Sequence, residues 1–552
     1  MASRRRAPYL HLTPRAAVRK DLWWKGAVIY QIYPRSFQDT DGDGVGDLRG
    51  IARHLDYVAR LGVDAIWISP FCKSPMKDFG YDVADYCAVD PLFGTLEDLD
   101  ALLAEAHRLG LKVMMDFVPS HTSDRHPWFL ESRQSRDNPK ADWYVWADPR
   151  PDGTPPSNWL SVFGGSAWEW DPRRGQYYLH NFLKQQPDLD FHRPEVIAAL
   201  LDQARFWLDR GIDGFRVDAI DYGAHDPALR DNPPRRRQAA SGSAPGSPYG
   251  MQLQRYNKAR PELVELFLKP LHALTERYPG KVLLGEISGD EALLRAAEYT
   301  NGGGLDIVYT FDLLTCPGDA RSIARVVSHL EREIGDGWAC WSLGNHDVRR
   351  AVSRWGGADP PEGLRRLLPV LLGSLRGTIC LYQGEELGLG QAELAYEQLK
   401  DPFGLAFWPA FAGRDGCRTP MPWAMRAPAA GFTTGDPWLP VPDGHRRRAV
   451  DVQAPDPNSV LNTTRAFLDW RRERQPLLTG AIRFRRERGG VLAFERANEA
   501  DCLLCAFNLG PEEQLYPVGE PVLDAGFTSA GARVEGRGIR LPAWGYAFAH
   551  LE

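Results

Sequence analysis

The chain has 552 residues, enough for several domains or for one large barrel with additions. Apolar residues make up 43% and charged residues 25%, the balance of a globular protein rather than a disordered or fibrous one. The formal net charge of −6 argues against nucleic acid as a partner, and no window reaches the uninterrupted apolar length of a membrane span.

Residues 1–20 are basic and broken by prolines, with an arginine triplet but no apolar run of a signal peptide. They read as a disordered extension of a cytoplasmic protein. After Trp23 a pattern repeats: a short apolar segment, a loop, then a longer amphipathic segment. The expected strands are Ala27–Phe37, Val63–Pro70, Leu111–Val118, Ile212–Ile220, Lys281–Ile287, Asp306–Asp312, Trp338–Gly344 and Thr378–Gln383. Helices are expected between them. The clearest is Leu96–Leu109, with Leu99, Leu102, Leu103 and Ala106 at helical spacing; Glu262–Tyr278 is another. Eight alternations of strand and helix predict an α/β fold, a (β/α)8 TIM barrel over residues 21–121 and 191–478. An open doubly wound sheet is the alternative, but no glycine-rich dinucleotide loop follows the first strand.

Three stretches interrupt the repeat. Residues 122–190, rich in Trp, Tyr, Pro and Asp, are too long for a plain loop and read as an inserted subdomain B after strand three. Residues 222–252 contain the Pro/Gly/Ser-rich PPRRRQAASGSAPGSP, and residues 384–457 follow strand eight. Over residues 479–552 the helical period gives way to VLAFERA, CLLCAFNL, GIRLPA and YAFAHL, a C-terminal antiparallel β-sandwich domain. Cys502 and Cys505 have CxxC spacing, but three residues apart on a strand they face opposite sides, which argues against a shared zinc.

Polar residues gather at the strand ends, where barrel enzymes carry their sites. In GIDGFRVDAID, Arg216 and Asp218 are two apart and share a face of strand four. By themselves they fit a structural ion pair as well as an active-site carboxylate held ionised by a guanidinium. Strand three ends in Asp116 and His121, strand five in Glu286, strand seven in His346 and Asp347, and Tyr81 and Asp82 follow strand two. Convergent carboxylates suit glycosidic bond cleavage, one as nucleophile and one as proton donor.

FRVD, GEI and NHD in this order after DFVPSH resemble the signature regions of the α-amylase superfamily, glycoside hydrolase family 13. YQIYPRSFQDTDGDGVGDLRGI, SPMKDFGYDVADY, QGEELGL and GRDGCRTPMPW make the likeness nearest to bacterial α-glucosidases and oligo-1,6-glucosidases. The resemblance implies that Asp218 is the nucleophile, Glu286 the general acid/base and Asp347 the third carboxylate. It further implies that Arg216 keeps Asp218 ionised and that His121 and His346 bond the innermost glucose. Tyr81 would stack on that sugar, and Asp82 with Arg418 would clamp its far hydroxyls. Phe163 and Phe182 are wall candidates. Ser120 stands where many members carry the asparagine of a calcium site between barrel and subdomain B, which puts that site in doubt.

A second metal site is expected in DTDGDGVGD. Asp39, Asp41, Asp43 and Asp47, with the Val45 carbonyl, follow the first part of an EF-hand loop and suit a structural Ca²⁺, with Mg²⁺ as the alternative. A metal-free Asx/Gly turn is the competing reading.

The implied activity is release of terminal glucose from short α-glucosides by a retaining mechanism, with transfer to a sugar or alcohol acceptor. Ala219 after the nucleophile favours α-1,4 linkages, since relatives acting on α-1,6 bonds tend to carry Val there. An α-1,6-specific oligoglucosidase, a dedicated glucosyltransferase or sucrose-acting enzyme, and a non-catalytic binding scaffold are the alternatives.

Overall fold

The structure, a computed structural model, describes residues 22–236, 244, 247–258 and 260–551. The basic extension and the stretch 237–243 of the Pro/Gly/Ser-rich loop lie outside the described residues.

Eight parallel strands close into a barrel. They are β1 (Val28–Ile32), β2 (Ala65–Ile68), β3 (Lys112–Phe117), β4 (Gly214–Val217), β5 (Val282–Ile287), β6 (Ile307–Thr310), β7 (Ala339–Trp341) and β8 (Thr378–Tyr382). All eight expected strands are present, each trimmed at one or both ends. β1 stops where Pro34, which lacks an N–H for the ladder, opens the short helical turn Pro34–Ser36. β4 stops before Asp218, because Ala219 turns left-handed at φ 39° and starts the turn Ile220–Tyr222.

The strands are buried on both faces, which is why they read as apolar runs. Ile29, Trp67, Met114, Leu284, Ile307 and Tyr309 belong to a cluster filling the barrel. Alternate residues such as Tyr30, Ile66, Val113, Phe215 and Leu283 pack in the larger cluster beneath the helices. Gly214 is required where β4 meets β5, since a Cβ there would lie 2.4 Å from the Val282 carbonyl oxygen. Leu96–Arg108 is helical as expected, with a Thr95–Asp98 capping box. The helix expected over Glu262–Tyr278 instead begins as a π-helical stretch, Val264–Leu268, before Lys269–Thr275. Pro270 removes one backbone donor from the regular ladder there.

The insertion after β3 carries the helix Pro127–Ser132 and a sheet of Trp146–Ala147, Gln176–Leu179 and Trp168–Asp171. Trp159, Trp168 and Leu179 form its own small core. At the C-terminus an antiparallel sheet of five strands faces one of three strands. Val491, Leu504, Tyr516, Ile539 and Ala547 fill the space between the two sheets. The edge strands Ala481–Phe484 and Arg533–Glu535 were not expected from sequence: the first is only four residues long with half-buried Ile482 and Phe484, and the second is wholly exposed. Cys505 is buried and Cys502 half-buried, and both are free thiols. No described helix is long and apolar enough to cross a membrane.

Candidate active site

The site grows from β4. Val217 and Phe215 face the helices, so Arg216 points into the barrel mouth, where it is 1% exposed. A buried guanidinium needs compensating charge, and three strand ends supply it. Nη1 donates to Asp116 Oδ1 on β3 at 2.6 Å and also to Asp218. Nη2 lies 2.7 Å from Glu286 Oε1 on β5. Trp67 on β2 offers its ring face to the cation at 4.9 Å and donates its indole N–H to Asp116 Oδ2 at 2.8 Å. Three carboxyls and one cation leave a surplus of negative charge in a dry place.

The carboxyls respond to that surplus. Burial pushes Asp218 up to about 7; Arg216 opposes the rise, and Asp116 and Asp347 add to it. Burial likewise pushes Glu286 up to about 8, again against Arg216 and with help from Asp218 and Asp347. Arg216 acts on Asp218 in the expected direction, favouring the ionised form, while burial is the larger influence. The Ala219 N–H donates to Glu286 Oε2 at 2.9 Å, a bond that the left-handed turn at Ala219 makes available.

Asp347 behaves oppositely. Burial alone would raise it, but His346, Arg414 and Arg418 overcome this, and its carboxyl lies well below the usual range. Oδ1 accepts from Arg414 Nη1 at 3.1 Å and from Arg418 Nη2 at 3.0 Å, and Oδ2 lies 3.1 Å from His346 Nε2. Gln31 Nε2, a donor, sits 2.8 Å from His346 Nδ1. The tautomer that satisfies this places the proton on Nε2, facing Asp347 and the Tyr81 hydroxyl at 2.6 Å.

These groups open into a cavity of about 380 Å³. Of the residues singled out from sequence, Asp218, Ala219, Glu286, Asp347, Tyr81, His121, Phe163 and Phe182 line it. Arg216 and His346 stand behind the wall; His346 is fully buried and its ring is stacked on Tyr81 at 5.4 Å. The Asp82–Arg418 clamp is corrected. Asp82 is fully buried, and its carboxylate accepts from Ser74 Oγ at 2.9 Å and from the amides of Lys77 at 2.9 Å and Asp78 at 3.0 Å. It ties the turn in which Phe79 has φ 52° and Gly80 has φ 109°. Arg418 is also buried and donates Nε to the His346 carbonyl at 2.7 Å. The pair that reaches the cavity is Asp78 and Arg414, joined from Nη2 to Oδ1 at 2.8 Å. Asp401 accepts from the same Nη2 at 2.8 Å. Asp78 and Arg414 stand in the quoted motifs; the sequence did not show which aspartate and which arginine the turns would aim inward.

In the aspartate-rich loop, carboxylate oxygens of Asp39, Asp41 and Asp43 come within 4.8 Å of one another. Asp47 does not join them. It caps the helix Leu48–Arg53 through the Gly50 amide at 2.7 Å and accepts from the Thr40 amide at 2.7 Å. Asp39 accepts from the amides of Gly42 at 2.8 Å and Gly44 at 2.9 Å. The all-oxygen set of three fits a hard dication, with Asp47 as a cap rather than a converging ligand. At the other questioned position Ser120 is buried and its Oγ lies 3.1 Å from His121 Nδ1.

The Alpha-amylase family, described as the alpha amylase catalytic domain, matches residues 31–480. A probable alpha-glucosidase of Rhizobium meliloti (strain 1021) is 54% identical over 96% of this chain and 97% of its own. An oligo-1,6-glucosidase of Heyndrickxia coagulans is 39% identical over 88% of this chain and 92% of its own. Among solved structures, the alpha-glucosyl transfer enzyme XgtA superposes with a TM-score of 0.93 at 55% identity, covering 96% of this chain and 99% of that one. With the barrel, the matched family and these relatives together, the chain belongs to glycoside hydrolase family 13, in its α-glucosidase group, and is a glycoside hydrolase.

Proposed function

We propose that this α-glucoside hydrolase is retaining and exo-acting. It would take the terminal non-reducing glucose from short α-1,4-glucosides such as maltose, and pass it to water or to a sugar or alcohol acceptor. The observation that carries the reading is the Asp78–Arg414–Asp347 array beside the catalytic carboxyls. Fixed charges at one end of a cavity can bond the outer hydroxyls of a single terminal sugar, whereas a polymer cleft needs a passage there.

In this mechanism an Asp218 oxygen attacks the anomeric carbon as the bond to the leaving oxygen breaks, and the Glu286 proton goes to that oxygen. Glu286 then takes a proton from water or an acceptor hydroxyl, which attacks the same carbon and frees Asp218. One guanidinium bonded to both carboxyls favours the short retaining separation of about 5 Å over the wider inverting one. Asp347, kept ionised, accepts from the sugar hydroxyls and favours the distorted ring. Phe311, Leu314, Phe403 and Phe411 add apolar wall that suits an organic acceptor. The likeness to XgtA, an alpha-glucosyl transfer enzyme, supports transfer as a second outcome of the same intermediate. Asp39, Asp41 and Asp43 would hold a structural Ca²⁺, whose charge offsets their mutual repulsion.

The test is a panel of maltose, isomaltose, sucrose and trehalose, with the first product anomer read by NMR. α-Glucose released first, with maltose preferred, is the expected result; β-glucose released first overturns retention. Asp218→Asn is expected to abolish turnover. Ala219→Val places a β-branched residue at φ 39°, which is expected to cost about 1–3 kcal/mol and to move preference toward isomaltose.

A further inference from the structure

Away from the cavity, Asp190, His192 and His225 meet where subdomain B returns to the barrel. Asp190 and His192 precede the helix Pro194–Arg210, and His225 follows the turn Ile220–Tyr222. One ligand atom from each of the three lies within 4.8 Å of the other two. None of the three lines the catalytic cavity.

Three observations point to a ligand. His225 is 7% exposed, yet among the described residues no hydrogen bond reaches either of its ring nitrogens. Its nitrogens are not among the fully buried polar atoms left without a partner, so the imidazole keeps an edge open to solvent or to a ligand. His192 Nε2 lies 2.9 Å from the His225 carbonyl oxygen and must donate to it. That fixes the tautomer and leaves Nδ1 with a free lone pair, the arrangement by which a backbone carbonyl orients a metal-binding histidine. Asp190 is anchored too, with Oδ1 accepting from the His192 amide at 3.0 Å and Oδ2 lying 3.5 Å from Arg193 Nε.

We propose that Asp190, His192 and His225 bind a transition-metal dication of the zinc class, at a site distinct from the catalytic carboxyls. Two imidazole nitrogens and one carboxylate oxygen match zinc's ligand preference and leave a position for water. The nitrogen donors argue against Ca²⁺ or Mg²⁺, which suit the all-oxygen loop at Asp39. Ligand atoms around tetrahedral zinc stand about 3.3 Å apart, so the cluster closes by about 1.5 Å at most from its 4.8 Å limit. A bound ion would cross-link the end of subdomain B to the loop after β4, whose Tyr222 lines the cavity.

The experiment uses the untagged full chain, stripped with chelator and titrated with ZnCl₂ by calorimetry in saturating CaCl₂. One zinc per chain is expected, weakened at least about tenfold in His192→Gln and in His225→Gln. ZnCl₂ is expected to raise Tm in the wild type and not in either variant. A wild-type crystal soaked in ZnCl₂ should show an anomalous peak bounded by these three residues, which decides the matter even if a variant fails to fold. No zinc bound, equal binding by wild type and both variants, or anomalous peaks only elsewhere would each overturn the proposal.

Discussion

Arg216 gathers three carboxyls on one guanidinium, and the consequence is measurable as pH dependence. In the proposed mechanism Asp218 must ionise to attack and Glu286 must keep its proton to donate. With values of about 7 and 8, kcat/KM should rise through the first and fall through the second, giving a narrow bell in a pH–rate profile. Glu286→Gln should lose about 10²- to 10⁴-fold on maltose, lose less on an aryl glucoside with a good leaving group, and lose the alkaline limb. The stability sign runs the other way. Both folded values lie above the unfolded carboxylate range, so these groups increasingly favour unfolding as pH rises from about 4 to 8. Glu286→Gln should therefore melt higher than the wild type at pH above 8, as thermal denaturation would show. The two aspartates of the DFGYD turn separate in the same way. Asp78→Asn removes a charged partner facing the cavity and should cut kcat/KM about 10- to 100-fold with little change in Tm. Asp82→Asn loosens the turn and should lower Tm. Equal effects of the two substitutions would count against Asp78 as the binding group. The motif announced that one of them mattered; the left-handed Phe79 and Gly80 between them decided which faces inward.

At the level of elements, the loop Asp39–Asp47 brings together only part of the set of aspartates expected from its sequence. Asp39, Asp41 and Asp43 converge, while Asp47 is drawn off to cap the next helix. The loop also fastens onto a distant segment: Asp39 accepts from Thr433, and Gly44 accepts from the Trp438 amide at 3.0 Å. A Cβ on Gly44 would lie 2.0 Å from the Asp436 carbonyl oxygen, so only glycine fits. On the proposed Ca²⁺ site, EDTA should lower Tm by several degrees and calcium should restore it, while an unchanged melting curve would argue for the metal-free turn. The strands follow a simpler rule. β1 to β8 were legible because burial on both faces imposes apolar runs, whereas the edge strands of the C-terminal sheets, mostly exposed, left no such trace.

Across the whole molecule, the C-terminal sandwich is tied to the barrel by a buried cation. Arg496 is fully buried and donates to the Ser374 carbonyl at 2.6 Å and the Gly480 carbonyl at 3.1 Å. Burial lowers its guanidinium to about 9. Arg496→Ala leaves two buried carbonyls without that donor and should cost about 1.5–3 kcal/mol in denaturant unfolding, with kcat unchanged at temperatures where the chain is folded. The sequence by itself determined the barrel, its insertion and C-terminal domain, and the three carboxyl residues, because burial periodicity and short motifs are local properties. Only the tertiary structure decided which aspartate and arginine meet in the cavity, that burial outweighs Arg216 at Asp218, and that Asp190 and His192 find His225. Those outcomes depend on distances between strand ends and loops far apart in the chain, and on the desolvation their packing imposes; no local pattern encodes either.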